Sequence, residues 1–287
     1  MWFSRKNKKD SLSRYLKPKW SGISAIENYN SNTADITLDF KLFEKNGFLS
    51  PDTLSSNLAG NYSLVKRRLF RQLEYFSKSG TTRFNPPQDA AKTTTPVVLV
   101  TSASPNEGKT FSSANLTLSL ALDERMKVLL IDADLANPSM PGVFGYDEDK
   151  PGLFECLVNG QRNVDEYVLS VSPLPIKILP AGQALKSPLQ LLSSDLMAEL
   201  LGLLTANQRK YEIIVIDGPP MLVSTEAAAL APLADEVVIV VGTGDTRLDD
   251  ISMSLDLIGG EDHVSFLMNR AYFTESKISN YPYGSTT

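Results

Sequence analysis

Lysine, threonine and aspartate recur at three points of the chain with the spacing of a phosphate-handling site. The stretch Ala103-Ser104-Pro105-Asn106-Glu107-Gly108-Lys109-Thr110 is a P-loop, G-x-x-x-x-G-K-[ST], with Ala103 in place of the first glycine. In such a loop the backbone N–H groups point inward at phosphate oxygens, Lys109 adds a positive charge, and the Thr110 hydroxyl can ligate Mg²⁺. Gly108 lets the backbone approach closely. Asn106 suits a left-handed bend, which Asn tolerates better than most residues. Two apolar runs end in acids, VLLI at Asp132-Ala133-Asp134 and IIVI at Asp217-Gly218-Pro219-Pro220. Residues i and i+2 of a strand share a face, so Asp132 and Asp134 project to one side. Asp217 is placed to hold Mg²⁺ through water, as the acid after an apolar strand does in P-loop enzymes. A single strand-end aspartate is as readily a turn initiator. Two beside a P-loop point to phosphoryl chemistry.

These residues need a sheet edge to converge. From Val97 onward, short β-branched runs alternate with helical patterns. The runs predict strands over Val97–Thr101, Lys127–Asp132, Ile176–Leu179, Tyr211–Asp217, Glu236–Val241 and Val264–Met268. Helices are expected over Lys109–Glu124, Pro188–Asn207, Thr225–Leu233 and Thr246–Ile258. The alternation reads as an α/β fold with a doubly wound, mostly parallel sheet, in which ligands bind beyond the carboxyl ends of the strands. The continuous apolarity of VVLV, VLLI, IIVI and VVIVV fits strands covered on both faces. Upstream, residues 1–60 read as a basic, polar extension. Residues 61–96 read as an amphipathic helix carrying Tyr62, Val65, Leu69, Leu73 and Phe76, with a basic opposite face, followed by a linker. The compact domain is expected over 97–272 and a tail over 273–287.

Composition removes several alternatives. The chain of 287 residues has one cysteine, Cys156, and one histidine, His263, so neither a disulfide scaffold nor a Cys/His zinc module can form. Cys156 reads as a small buried hydrophobe and His263 as a structural or surface residue. No uncharged stretch reaches the roughly 20 apolar residues of a membrane-spanning helix. The first 20 residues hold seven basic side chains against one acid, without the apolar stretch of a signal peptide. A cytoplasmic protein is expected, touching a membrane only peripherally. No nucleic-acid partner is expected.

SASPNEGKT, VLLIDADLANP and IIVIDGPP resemble the Walker A, A′ and B motifs of the bacterial tyrosine kinases, which use a deviant P-loop ATPase fold. PGLFECLVNG and ILPAGQALKSPLQLL extend the likeness across about residues 95–272. LDFKLFEKNGFLSPDT and NYSLVKRRLF are similar to the start of the tyrosine autokinases of exopolysaccharide and exosortase gene clusters. The resemblance implies an ATP-dependent protein-tyrosine autokinase, with ATP and Mg²⁺ as cofactors, that controls exopolysaccharide polymerisation or export. Ala103 to Phe111 would bind the nucleotide, and Lys109 would stabilise the moving charge. Thr110 and Asp132 would lie nearest Mg²⁺ with Asp217 behind them, and Asp132 or Asp134 would take the tyrosyl proton. Asn269 is the counterpart of a strand-end Asn that reads adenine in related ATPases. Tyr281 and Tyr283 would be the autophosphorylated residues. The implied partner is a membrane polysaccharide co-polymerase that activates the kinase.

The sequence departs from this family at two places. Ala136 stands where D-x-D-x-R has arginine, which removes a guanidinium from the site. Asn61 and Leu64 stand where the ring-forming helix has Glu and Arg, leaving Arg67 and weakening the expectation of a homo-oligomeric ring. A nucleotide-switched assembly ATPase is the alternative. Such relatives usually carry a lysine near the start of the loop, and Thr101-Ser102-Ala103-Ser104 has none. A non-catalytic regulatory subunit is disfavoured by the intact Lys109, Thr110, Asp132, Asp134 and Asp217.

Overall fold

The computed structural model describes residues 34–73, 95–159, 164–184, 189–193, 195–206, 210–260 and 263–271. Tyr281, Tyr283, the basic first 20 residues and most of the expected linker lie outside them. Three strands at the centre of the sheet, β2 (Val97–Ser102), β3 (Val128–Asp132) and β6 (Ile213–Asp217), are buried at every position. Their uninterrupted apolar runs have this cause, because both pleat faces lie under other elements. The other strands are β1 (Ile36–Thr37), β4 (Leu169–Ser172), β5 (Ile176–Leu179), β7 (Glu236–Gly242) and β8 (Val264–Asn269). The sheet order is β1-β4-β5-β3-β6-β2-β7-β8. Pairing is parallel except between β4 and β5.

Alternate side chains of each central strand feed two cores. Val98 and Val100 of β2 join one, and Val97 and Leu99 join the other. On the first face lie α2 (Asn57–Gln72) and α3 (Lys109–Asp123). Helix α3 is buried along nearly its whole length, which explains the charge-free sequence from Thr110 to Leu122 better than an amphipathic surface helix would. On the second face lie α5 (Leu153–Val158), α7 (Asp195–Thr205) and α8 (Glu226–Leu230). Short helices α1 (Phe40–Lys45), α4 (Met140–Phe144) and α6 (Leu189–Leu192), together with α9 (Leu248–Ile258), complete the α-helices among the described residues.

Residues 34–60, read from the sequence as part of a polar extension, belong to the folded body. Ile36, Leu38, Phe43 and Leu49 are buried in the first core, and β1 adds to the sheet edge beside β4. Their irregular spacing in a polar stretch hides them from a periodicity test. Helix α2 begins at Asn57, one turn ahead of the expected boundary, because Ser56 caps it by accepting from Ala59 N–H. Its face is also not as expected. Lys66 is buried, donating to the Ser119 carbonyl at 3.2 Å and the Asp123 carboxylate at 2.6 Å. Among the described residues, the single helix expected over Pro188–Asn207 is two, and between them Ser193 turns its hydroxyl back to the Leu189 carbonyl at 2.7 Å. Helix α9 starts at Leu248 instead of Thr246 because the Thr246 hydroxyl is engaged by the Gly242 N–H and donates to Glu107.

Candidate active site

The parallel register sets the ends of β3, β6 and β2 side by side. Asp132 pairs with Asp217 across β3 and β6, and Val100 with Asp217 across β2 and β6. The loop after β2 therefore arches over two aspartates, and α3 starts at its far end. The loop turns by way of two left-handed residues, Asn106 (φ 63°) and Gly108 (φ 94°), as the sequence suggested for Asn106. Among the described residues, the N–H groups of Glu107, Gly108, Lys109 and Thr110 donate to no protein atom. Four open N–H groups at a helix N-terminus form an anion-binding nest.

Beside this nest lies a cavity of about 430 Å³, lined among others by Lys109, Thr110, Phe111, Asp134, Ser139 and Arg270. That volume is in the range of small-molecule sites, roughly 300–1,000 Å³. Lys109 Nζ lies 2.7 Å from Asp134 Oδ2. Burial works against the Lys109 ammonium, but the carboxylates of Asp217, Asp134 and Asp132 outweigh it and hold its pKa above that of an ordinary lysine. Thr110 Oγ1 donates to Asp217 at 2.8 Å, and Ser113 Oγ donates to the other oxygen of Asp217 at 3.0 Å. Asp132 is fully buried and accepts from the Asp134 and Met140 N–H groups at 3.3 and 3.4 Å. Burial and Asp217 push the Asp132 pKa well above the usual carboxylate range, an effect Lys109 only partly offsets. Burial likewise raises Asp217.

One lysine thus faces three carboxylates, a local excess of negative charge that a divalent cation and a phosphate chain would rearrange. No three acidic, His or Cys side chains among the described residues are disposed to hold an ion unaided. The donor set still fits Mg²⁺, which commonly takes one or two carboxylates and completes its shell with water and substrate phosphates.

The expected site residues divide into two groups. Pro105, Asn106, Gly108, Lys109, Thr110, Phe111 and Asp134 line the cavity, with Asp132 and Asp217 beneath it. Glu107 serves the loop itself, accepting from Ser104 N–H at 2.9 Å and from Thr246. Ala103 is buried, and Ser104 accepts from Ser102 through its carbonyl at 2.7 Å. The Asn269 amide is committed to the Glu107 carbonyl at 2.9 Å, so in this structure it grips the loop. Three contributors were not anticipated. Ser113, one helical turn after Thr110, was available from its i+3 spacing. Ser139, 2.9 Å from the Thr110 hydroxyl, and Arg270 have no local signature. The two remaining polar landmarks are ordinary: Cys156 is buried, its thiol pushed up to about 11 by burial, and His263 is exposed.

Comparison with known proteins agrees with this geometry. The family model described as AAA domain matches residues 92–259. The chain is 32% identical over 161 residues to the tyrosine-protein kinase YwqD of Bacillus subtilis, covering 56% of this chain and 65% of YwqD. It covers 21% of the tyrosine-protein kinase ptk of Acinetobacter johnsonii, at 27% identity. The chain thus spans less than two thirds of either relative. The VpsO kinase domain superposes with a TM-score of 0.56 at 36% identity, covering 62% of this chain and 86% of that one. The kinase domain of Escherichia coli ETK shares the fold, with a TM-score of 0.63 at 22% identity over 88% of this chain and 94% of its own. With a deviant P-loop over paired aspartates and these kinships, the chain belongs to the AAA-domain proteins and, within them, to the bacterial tyrosine-protein kinase family.

Proposed function

We propose that the protein is an ATP-dependent tyrosine autokinase that transfers the γ-phosphoryl group of ATP to Tyr281 and Tyr283 of its own C-terminal tail. The observation that best supports this is the convergence of Lys109, Asp134 and four open N–H groups on one cavity. Tyrosyl transfer needs a phosphate cradle, a mobile cation and a carboxylate facing the acceptor, and little covalent help from the protein. Lys109 exchanges its hold on Asp134 for the phosphate chain. Asp134, released, accepts the proton of the incoming tyrosyl hydroxyl, while Asp132 stays behind it as a second negative charge. The N–H groups of the nest orient the phosphates and stabilise charge as it shifts. Thr110, Asp132 and Asp217 would hold Mg²⁺, which when bound supplies charge neutralisation at the phosphate oxygens.

The polysaccharide role is part of the same reading. A cytoplasmic kinase domain acting with a membrane co-polymerase accounts for the basic N-terminal stretch, whose charge suits an anionic surface. Asn61, Leu64 and Arg67 are all exposed on one face of α2, where a second copy of the chain can reach them, although without the Glu and Arg of a salt-bridged ring. The test is direct. Wild type and Lys109→Ala are incubated with ATP and Mg²⁺, and phosphotyrosine is mapped by mass spectrometry. Tail phosphate in the wild type alone supports the kinase. Hydrolysis of ATP without phosphotyrosine identifies a nucleotide switch instead.

A further inference from the structure

We propose that Asn269 and Arg270, at the end of β8, form a two-donor latch that holds the P-loop in its phosphate-receiving shape. This rests on reading the loop as a nucleotide site, and it assigns to these residues a positioning role instead of contact with the base. Asn269 Nδ2 donates to the Glu107 carbonyl at 2.9 Å. Arg270 Nη2 donates to the Asn106 carbonyl at 2.5 Å, and its Nη1 to Asp245 Oδ2 at 2.8 Å. Two successive carbonyls of the loop are therefore held from the β8 side by two successive side chains.

Peptide geometry turns these bonds into a statement about the nest. The peptide bonds 106–107 and 107–108 are trans, since the one cis bond among the described residues is Ser172-Pro173. In a planar trans peptide the N–H points opposite to the C=O. Fixing the Asn106 and Glu107 oxygens toward β8 therefore aims the N–H groups of Glu107 and Gly108 the other way, and these are among the four that find no protein partner. If either peptide unit flipped, it would turn a carbonyl oxygen toward the bound phosphates and remove one donor from them.

Backbone conformation on both sides supports the arrangement. Arg270 adopts φ 57°, an uncommon left-handed state for a long side chain, which ends the strand and brings the guanidinium back over the loop. A Cβ placed on Gly108 would meet Asn269 Nδ2 at 2.1 Å. Gly108 is thus needed twice, for its positive φ and for the close approach of the latch. The guanidinium fork spans both Asp245 and Asn106, which a single ammonium cannot do.

The test compares a ligand that has a base with one that lacks it. Binding of ATP and of inorganic triphosphate is measured by calorimetry for the wild type, Asn269→Ala, Arg270→Ala, Arg270→Lys and Asp245→Asn, alongside thermal unfolding. The latch predicts that Asn269→Ala and Arg270→Ala weaken both ligands by the same factor, roughly tenfold. Arg270→Lys recovers part of the loss through one remaining donor. Asp245→Asn stays near wild type, because the bond to Asn106 survives. A loss confined to ATP would overturn the latch in favour of base recognition, and unchanged binding of both ligands would overturn it outright. An Asp245→Asn defect equal to that of Arg270→Ala would also overturn it, because Arg270 would then act through Asp245. A wild type that binds neither ligand overturns the nucleotide reading and the latch with it, whereas intact wild-type and variant binding overturns the latch alone.

Discussion

Lys109 and Asp134 are joined at 2.7 Å with both side chains almost wholly buried. The lysine that would hold phosphate is thus already neutralised by the carboxylate that would receive the tyrosyl proton. In the proposed reaction, nucleotide binding would then be an exchange of partners for both groups. Asp132 and Asp217 also act on Lys109, so its ammonium faces three acids.

That charge count makes the two halves of the pair unequal. Lys109→Ala leaves three carboxylates together and should destabilise the ligand-free protein. The loss should be smaller than the roughly 3–5 kcal/mol of a broken buried ion pair, because Asp132 can take up a proton. Asp134→Asn relieves repulsion while unpairing the lysine, which still has Asp217 and Asp132 nearby, and should change stability little. Urea denaturation of the two variants checks the order; equal losses would show that the pair acts in isolation.

Asp132→Asn should stabilise the ligand-free protein, and more so at neutral than at acid pH. The folded-state pKa of Asp132 is raised well above the ordinary carboxylate value. A raised carboxylate contributes stability below its ordinary pKa and loses it as pH rises through the folded value. The asparagine variant carries no such loss. Its advantage in melting temperature should be present at neutral pH and shrink toward about pH 4, where Asp132 is protonated in the folded state and about half protonated in the unfolded one. The raised Lys109 contributes a stabilisation that stays constant across this window and is lost only as pH rises above the ordinary lysine pKa. Thermal melts in chelator across pH 4 to 8 decide the matter, and a pH-independent difference would contradict it.

Lys66 ties the upstream helix to the P-loop helix. Its ammonium reaches Asp123 at 2.6 Å, Glu124 at 3.5 Å and the Ser119 carbonyl near the end of α3, where a cation also complements the helix dipole. Lys66→Met keeps the stem and removes the charge. The stranded acids are partly exposed and can be hydrated, so the expected loss is about 1–3 kcal/mol. Equilibrium unfolding measures it, and a neutral result would mean the stem alone carries the contact.

How much was legible in the sequence depends on how local the cause is. Val97–Ser102, Val128–Asp132 and Ile213–Asp217 announce themselves because strands buried on both faces have to be apolar throughout. The left-handed Asn106 follows from the loop's own chemistry. By contrast, β1 is two residues long and β4 alternates leucine and valine with serine, so neither carries a signal beyond its neighbours. Lys66 looks like a surface residue until α3 presents acids and a carbonyl to it. The return of Arg270 onto the loop depends on one dihedral angle, and Ser139 reaches Thr110 only through a turn that tertiary packing sets.

In the proposed function, phosphate leaves this site onto tyrosine. Its most direct measurement follows the γ-phosphoryl group of radiolabelled ATP in the wild type and in the Tyr281→Phe, Tyr283→Phe double variant. The expected result is label on the wild-type protein, stable as phosphotyrosine, and only background on the double variant, although both bind ATP. Release of all the label as inorganic phosphate from the wild type, with none on the protein, would rule out tyrosine as the acceptor.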